Sequence, residues 1–274
     1  MNQKKRQRSP SQNPLAIASK WVPWADKLLP LLGVVILLSF WEIAATSNWV
    51  SPVLLPTPVD TIAELVIVTF RPENGLFLDF FTTLWRTLLS FAIGAILGVP
   101  LGIILGSNER VYRSFEFLID FFRSTPASAL IPMFLLFLGT SDWNKVVIPA
   151  FAGFLVIIFN SAYGVMNARQ SRILAARVMG ASHWDIFKDV LFWESLPQIF
   201  IGLRTGISIS LVIVIVAEMF IGTDVGLGKR IFETQQILNV RDMYASILTT
   251  GVLGYCLNMI FRFVEKQIVH WSGR

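Results

Sequence analysis

Residues 169–197 read RQSRILAARVMGASHWDIFKDVLFWESLP, a polar interruption between two apolar stretches. The segment is too charged to cross a bilayer as a helix. Gly180 tolerates the left-handed backbone that ends helices, and Ser182 with Asp185 has the spacing of a capping box. Pro197 suits the first turn of a following helix, where its missing N–H costs nothing. The pattern therefore predicts a helix, a tight turn, a second helix and re-entry into the membrane.

Two interpretations of this segment stay open from the pattern alone. A soluble partner can bind a short bent helical element and move it as a rigid unit. A loop that lies on the lipid headgroups would carry a similar mixture of charged and apolar residues.

The composition indicates a polytopic membrane protein rather than a soluble domain. The chain has 274 residues, of which 54% are hydrophobic and 15% are charged. A single cysteine excludes an internal disulfide, and two histidines with one cysteine do not supply a familiar zinc cluster. We attribute the net charge of +5 to membrane topology rather than to nucleic-acid binding, because the charges lie at the ends of apolar stretches.

Six apolar stretches are long enough to approach the roughly 20 residues that cross a bilayer. They are about Leu29–Thr46, Phe80–Leu105, Phe115–Leu138, Val146–Met166, Pro197–Ile221 and Met243–Val264. We therefore expect an all-α polytopic membrane protein with about six transmembrane helices. The third stretch contains Asp120, Arg123, Pro126 and Pro132, which predict a kinked helix. Glycine at every fourth position from Gly94 to Gly106 predicts close helix packing in the second.

Lysine and arginine are distributed unequally between the two sides of the predicted membrane. With the N-terminus inside, 15 lie on one side and 5 on the other, and Arg86, Arg123 and Arg204 fall in or beside spans. The side with more positive charge is the cytoplasmic one. We therefore expect both termini, and residues 169–196, to be cytoplasmic.

Four short motifs carry a family resemblance. They are Ala175-Ala176, Gly180-Ala181-Ser182, Leu196-Pro197 and Gly202-Leu203-Arg204. In this spacing they resemble the EAA loop of ABC importer permeases, although Leu174 stands where that family has an acidic residue. Leu55-Pro56-Thr57-Pro58 is similar to a Leu-Pro-x-Pro signature in nitrate, sulfonate and taurine-type permeases. The resemblance covers roughly residues 55–265.

The resemblance implies a function, partners and a location. The chain would be the permease of a type I ABC importer, in a bacterial plasma membrane, for a small anion such as nitrate, a sulfonate, taurine or bicarbonate. Its partners would be cytoplasmic ATP-binding subunits, a second permease copy, an extracytoplasmic solute-binding protein and membrane lipid. ATP and Mg²⁺ would bind the partner ATPase, and this chain would bind no cofactor and no nucleic acid.

The composition and the predicted spans imply a division of the chain, and the resemblance implies the coupling loop within it. Residues 1–28 would form a disordered basic cytoplasmic tail, residues 29–266 a single transmembrane permease domain, and residues 267–274 a second cytoplasmic tail. The coupling loop would be residues 169–196. The residues expected to contact the ATPase are Leu174, Ala175, Ala176, Gly180, Ala181, Ser182, His183, Trp184 and Asp185.

Polar residues within the spans are candidates for the translocation path. They are Arg123, Ser124, Thr125, Pro126, Arg204 and Glu218. Three of them have a structural alternative: Arg123 as a cation held by Asp120, Glu218 as a hydrogen-bond partner of a neighbouring helix, and Arg204 as an anchor. Arg86, near one end of its span, is either an attractor of anions or an interface anchor.

Competing functions lack their expected signatures. The glycine-rich residues 222–230 fail the spacing of a phosphate-binding loop, so we expect no ATP hydrolysis by this chain. A stand-alone secondary transporter would carry internal repeats, which are not visible. A membrane enzyme would need a paired acid and base or a metal cluster, and His183 and His270 supply neither. A permease for a thiamine precursor or another small metabolite remains the alternative within the family.

Overall fold

The computed structural model describes residues 25–47, 49–51, 53–71 and 75–271, so most of the expected tail at 1–28, and residues 272–274, lie outside the described part. The elements in order are α1 (Ala25–Thr46), α2 (Pro58–Thr69), α3 (Leu76–Gly106), α4 (Glu109–Ser124), a 3₁₀ turn (Ala127–Leu130), α5 (Ile131–Leu138), α6 (Asn144–Met166), α7 (Gln170–Val178), α8 (His183–Ile186), a π-helical turn (Phe187–Leu191), α9 (Phe192–Ile221), α10 (Leu227–Gln236) and α11 (Val240–Ile268). The predicted all-α class is confirmed.

The chain divides into two compact units, residues 1–60 and 61–274. Within the described part of the first unit, the indole N–H of Trp41 on α1 donates a hydrogen bond to the Pro56 carbonyl at 2.9 Å. The second unit holds helices α3 to α11 and both of the sites described below.

Four helices of the described chain are long and apolar enough to cross a membrane: α3, α6, the continuous helix His183–Ile221 and α11. The apolar part of α1, Leu31–Thr46, is shorter than these. The third predicted span is broken rather than kinked, because α4 and residues 127–138 meet at 87°. Thr125 at the break is extended, and Pro126 after it lacks the N–H that would continue the helix.

The centre of the second unit is formed by α3, α6 and α9. The predicted close approach along α3 is confirmed, and its partner is α6 of the same chain. A Cβ on Gly102 would lie 2.5 Å from the Ser161 Cβ, and one on Gly106 would lie 2.5 Å from the Ala162 carbonyl oxygen. On the other side of α6, Ile157 is fully buried, as is Ile207 of α9. Close-packed helices of this kind move together rather than deforming.

This core connects two ends of the bundle. The 23 residues of α6 extend about 35 Å at a rise of about 1.5 Å per residue. The end where α6 finishes leads into residues 169–191, hereafter the bent segment. The other end, where α6 begins and α9 finishes, is hereafter the distal end.

Candidate functional site

The bent segment has the helix–turn–helix form that its sequence predicts. Helix α7 ends before Gly180, which adopts φ +82°. The Gly180 amide donates to the Arg177 carbonyl and the Ala181 amide to the Ala176 carbonyl, both at 3.0 Å. These two bonds form a Schellman motif, which satisfies carbonyls that the end of a helix leaves unpaired.

The capping box that opens the second helix is also confirmed. The Asp185 amide donates to the Ser182 hydroxyl at 3.2 Å, and the Ser182 amide donates to the Asp185 carboxylate at 3.0 Å. Hydrogen bonds from the Ser182 hydroxyl and then its amide hold the pKa of Asp185 below its usual value. The carboxylate is therefore ionised at neutral pH and keeps the turn fixed.

One prediction for this segment is wrong. Pro197 does not open a new helix, because the helix that begins at His183 continues to Ile221 and carries Pro197 in its interior. The π-helical turn Phe187–Leu191 precedes it. The Ser195 hydroxyl donates to the Phe192 carbonyl one turn before the proline at 2.8 Å. The bent segment is therefore continuous with a membrane-spanning helix and transmits any displacement directly to it.

The bent segment has a packed side and an exposed side. On the packed side, Ile173 and Ile186 are buried with Ala168, and Ala176 and Ala181 are half-buried against them. This small cluster joins α7 to the second helix and explains two of the predicted coupling positions as packing residues.

The exposed side is apolar around the turn. Val178 is 89% exposed, Met179 86% and Trp184 68%. No atom lies within 4 Å of the position that a Cβ on Gly180 would occupy. Leu174, Ala175 and His183 are also exposed. Large apolar side chains grouped on a surface in this way mark an interaction site.

A buried ion network occupies the distal end, and Arg86 of α3 is its centre. One guanidinium nitrogen, Nη1, donates to the Glu218 carboxylate at 2.8 Å and to the Val225 carbonyl at 2.9 Å. The other, Nη2, donates to Asp142 Oδ1 at 2.6 Å and to the Thr223 hydroxyl at 3.0 Å. Arg86 therefore ties together α3, the last turn of α9, the loop before α6 and the loop after α9.

The Glu218 carboxylate is fully buried and held on several sides. It accepts from the Thr83 hydroxyl at 2.9 Å and from the Gly228 amide at 2.9 Å, in addition to Arg86. A Cβ on Gly226 would lie 2.5 Å from the Glu218 Cδ. The close approach of this loop to the carboxylate therefore requires glycine at position 226.

A second ion cluster adjoins the first. Arg230 of α10 makes two hydrogen bonds to Asp242, both at 2.8 Å, and one to Asp79 at 3.1 Å. Asp79 in turn accepts from the Gly226 amide at 2.8 Å. We call the residues Asp79, Thr83, Arg86, Asp142, Glu218, Arg230 and Asp242 the distal network.

A cavity of about 720 Å³ lies beside Arg86 at the distal end. It is lined by Arg86, Asp142, Lys145, Thr223 and Asp224, together with Thr82, Thr140, Ser141, Ile221, Gly222 and Val225. Burial acts against ionisation of Asp142, but the hydrogen bond from Lys145 and then the charge of Arg86 outweigh it and lower the pKa of this carboxyl below 3.8. The cavity therefore combines two cations with an ionised carboxylate.

The predicted translocation residues lie in three separate places. Arg123 contacts Asp120 at 3.3 Å and lies 3.7 Å from the centre of the Phe159 ring. The Ser124 and Thr125 hydroxyls beside it, before Pro126, donate to helix carbonyls at 2.7 and 3.0 Å. Arg204 pairs with Glu265 of α11 at 3.5 Å. Glu218 belongs to the distal network.

Sequence reasoning missed most of the distal network. Thr83, Asp79 and Arg86 lie at i, i−4 and i+3 on one face of α3, a spacing that could have indicated a polar face. Their partners are more than 130 residues away in the chain, at Glu218 and Gly226. Only the fold brings these positions together.

Comparisons with known proteins agree with this architecture. The model of the family described as "Binding-protein-dependent transport system inner membrane component" matches residues 98–270. A probable ABC transporter permease of Brucella abortus is 29% identical over 246 residues, which cover 90% of this chain and 96% of the relative. The taurine transport system permease protein TauC of Escherichia coli is 26% identical over 262 residues, which cover 93% of each chain.

Two further comparisons concern substrate type and fold. The nitrate import permease protein NrtB of Synechocystis is 26% identical over 247 residues, which cover 88% of each chain. An inward-facing structure of the MetNI methionine ABC transporter superposes with a TM-score of 0.62 at 22% identity, over 70% of this chain and 95% of that chain. The chain therefore belongs to the binding-protein-dependent transport system inner membrane components, the permeases of ABC importers.

Proposed function

We propose that this chain forms the translocation path of an ATP-driven importer and that the bent segment couples it to a separate ATPase. The observation that carries this proposal is the exposed apolar surface of Val178, Met179 and Trp184 around the open turn at Gly180. A water-facing surface of this kind is stable when a partner covers it. A groove on the ATP-binding subunit is the partner that the family supplies.

The construction of the bent segment supports a mechanical role. Its turn is fixed by the Schellman motif and the capping box, so it transmits force without unwinding. Its second helix continues as α9, which packs on α6 in the core. Closure of two ATPase subunits on ATP and Mg²⁺ would therefore move α9 and α6 and reopen the path toward the other side of the membrane.

The proposed orientation places the bent segment and both termini in the cytoplasm and the distal end outside. The excess of lysine and arginine on the bent-segment side supports this orientation. The distal end then faces an extracytoplasmic solute-binding protein. A second permease copy completes the path in the plane of a bacterial inner membrane, and lipid surrounds the remaining apolar surface.

The proposed substrate is a small anion. Relatives that match most of this chain are named as nitrate and taurine permeases. Two cations, Arg86 and Lys145, line the cavity at the distal end, where the solute would enter. Nitrate, a sulfonate, taurine or bicarbonate fit this class.

A matched pair of glycine variants tests the coupling role. Gly180 and Gly139 both have positive φ, +82° and +65°, and a Cβ on either meets no atom within 4 Å. Gly180→Trp is expected to lower ATP-dependent uptake of labelled nitrate or taurine, and ATPase co-purification, by about tenfold or more, the scale of a lost hot spot. Gly139→Trp, at the distal end, also places a side chain at positive φ and should keep ATPase co-purification. Equal co-purification of the two variants would contradict the coupling role.

A further inference from the structure

Two buried cations at the distal end share a single exposed carboxylate oxygen. Asp142 Oδ1 accepts from Arg86 Nη2 at 2.6 Å and from Lys145 Nζ at 3.2 Å. The two cationic side chains are 6% and 3% exposed, whereas the Asp142 side chain is 74% exposed. The cations are thus fixed in the protein, and the anion that neutralises them faces the cavity.

A buried lysine at position 145 is energetically unfavourable unless its ammonium group holds an anion. Burial of an ammonium group is unfavourable without a close counter-ion. Lys145 also lies in the first turn of α6, where the helix dipole disfavours a cation. An apolar residue at this position would avoid both costs, so packing alone does not explain a lysine here.

The charges around Arg86 and Lys145 indicate which charge a ligand of this site must carry. Arg86 and Lys145 contribute two positive charges, and Glu218, which is fully buried, contributes one negative charge. Among the groups in direct contact with Arg86 and Lys145, one further negative charge balances the two cations, and Asp142 supplies it. Asp224 also lines the cavity, but it is exposed, so water and salt screen its field at the buried cations.

We propose that Arg86 and Lys145 form a binding site for a small singly charged anion and that Asp142 occupies this site until the anion displaces it. An oxyanion such as nitrate, bicarbonate or a sulfonate reproduces the oxygen that Asp142 presents to both cations. Thr82 and Thr140 line the same cavity, and their hydroxyls are donors of the kind that oxyanions accept. A dianion would leave the site with excess negative charge.

The role of Asp142 is that of an internal competitor. Its exposed side chain swings away when the anion arrives, and the cations then hold the anion with the same hydrogen bonds. Because Asp142 fills the site in most molecules, the apparent affinity for the free anion is reduced by the fraction of sites that are open. The anion therefore binds weakly at rest, which suits a site that must also release its ligand.

This inference rests on the proposed importer function for its biological meaning, but its test needs only the purified full chain. Thermal unfolding is followed by tryptophan fluorescence while sodium nitrate or sodium methanesulfonate replaces sodium gluconate at constant ionic strength. Asp142→Asn removes the competitor and leaves both cations in place. It should raise the apparent affinity for nitrate by about tenfold or more relative to the original chain.

Three control measurements test whether the increase in nitrate affinity arises from Arg86 and Lys145. Asp224→Asn removes the same charge from the same cavity without touching the cations, so its nitrate affinity should stay close to that of the original chain. Adding Lys145→Gln to Asp142→Asn should abolish the gain. Sodium sulfate, a dianion, should stabilise Asp142→Asn less than nitrate does.

The outcomes separate this site from the importer role. Equal nitrate affinities in the original chain, Asp142→Asn and Asp224→Asn would overturn the anion site, even if ATP-driven uptake is normal. A gain in Asp142→Asn that Lys145→Gln removes would support the site, even if uptake of nitrate or taurine fails. A supported anion site together with failed uptake would contradict only the proposed importer function.

Discussion

The two ends of this bundle are built in opposite ways. The bent segment is fixed by local hydrogen bonds, within residues 176–185, and leaves its large apolar side chains exposed. The distal network is fixed mainly by ion pairs between distant positions, such as Arg86 with Asp142 and Glu218, and leaves almost all of its charges buried. A locally folded surface can exchange partners without unfolding the protein, whereas a long-range buried network holds helices in one arrangement. The difference agrees with the proposed docking at the bent segment and with the proposed anion site in an otherwise closed scaffold at the distal end.

The largest effect is expected from breaking the centre of the distal network. Arg86→Met leaves the buried Glu218 carboxylate without its cation, which costs about 3–5 kcal/mol in comparable pairs. The purified chain should unfold at a much lower temperature in a detergent melting experiment. A melting temperature equal to that of the original chain would contradict the role of the distal network as a buried scaffold, and with it the contrast to the bent segment.

Charge placed on the bent segment should have a different consequence. Met179→Glu puts a carboxylate in the proposed ATPase groove, and its desolvation should weaken association by about 2 kcal/mol or more. Stability of the isolated chain should change by less than about 0.5 kcal/mol, because Met179 is exposed. Co-purification and melting measured on one preparation test both statements. Ile237→Glu, at a position that is 72% exposed just after α10 and outside the apolar spans, is the comparison variant, and equal loss of the ATPase in both would contradict specific docking.

The capping box should control the stiffness of the bent segment. Ser182→Ala removes the acceptor for the Asp185 amide. Amides of residues 183–186 should then exchange with deuterium about fivefold faster, the usual scale of a lost cap. Unchanged exchange would mean that the Ile173–Ile186 contact alone fixes the turn.

The same box predicts a pH dependence. The pKa of Asp185 is lower in the folded chain than its unfolded value of 3.8. Its contribution to stability is therefore complete above about pH 4 and is lost as the pH falls through the folded value. The protection factors of these amides, which are corrected for the intrinsic exchange rate at each pH, should be constant between pH 5 and pH 8. They should decrease only in stronger acid.

The smallest effect is expected at the ion pair between α9 and α11. Arg204 and Glu265 are 3.5 Å apart, and their side chains are 34% and 26% exposed. Solvent screens such a pair, so Arg204→Gln should cost less than about 1 kcal/mol. A loss as large as that of Arg86→Met would indicate that the α9–α11 contact also belongs to the scaffold.

The sequence predicts features that are local in the chain and misses those that are not. Gly180, Ser182 and Asp185 act within four residues of one another, so their backbone roles follow from spacing. The sequence predicts a kink near Pro126, whereas the structure has a break of 87° there. The sequence places Pro197 at the start of a helix, whereas a membrane helix tolerates an interior proline when neighbouring groups satisfy the freed carbonyl.

The distal network lies at the limit of sequence reasoning. The sequence indicates either an attractor of anions or an interface anchor at Arg86, and its four hydrogen-bond partners come from three distant segments. Glu218 was placed both in the path and against a neighbouring helix, and its hydrogen bonds to Thr83 and Gly228 favour the second position. No periodicity in one chain reveals which distant acid meets which base.

Site-specific cross-linking tests the docking claim most directly. A photoreactive amino acid is introduced at Met179 or, in a separate variant, at Trp143, which is exposed at the distal end. The full chain is then purified together with its ATPase and illuminated. We predict a covalent adduct between permease and ATPase from position 179 and none from position 143. Adducts of equal yield from both positions, or an adduct from position 143 alone, would contradict the assignment of the bent segment as the docking element.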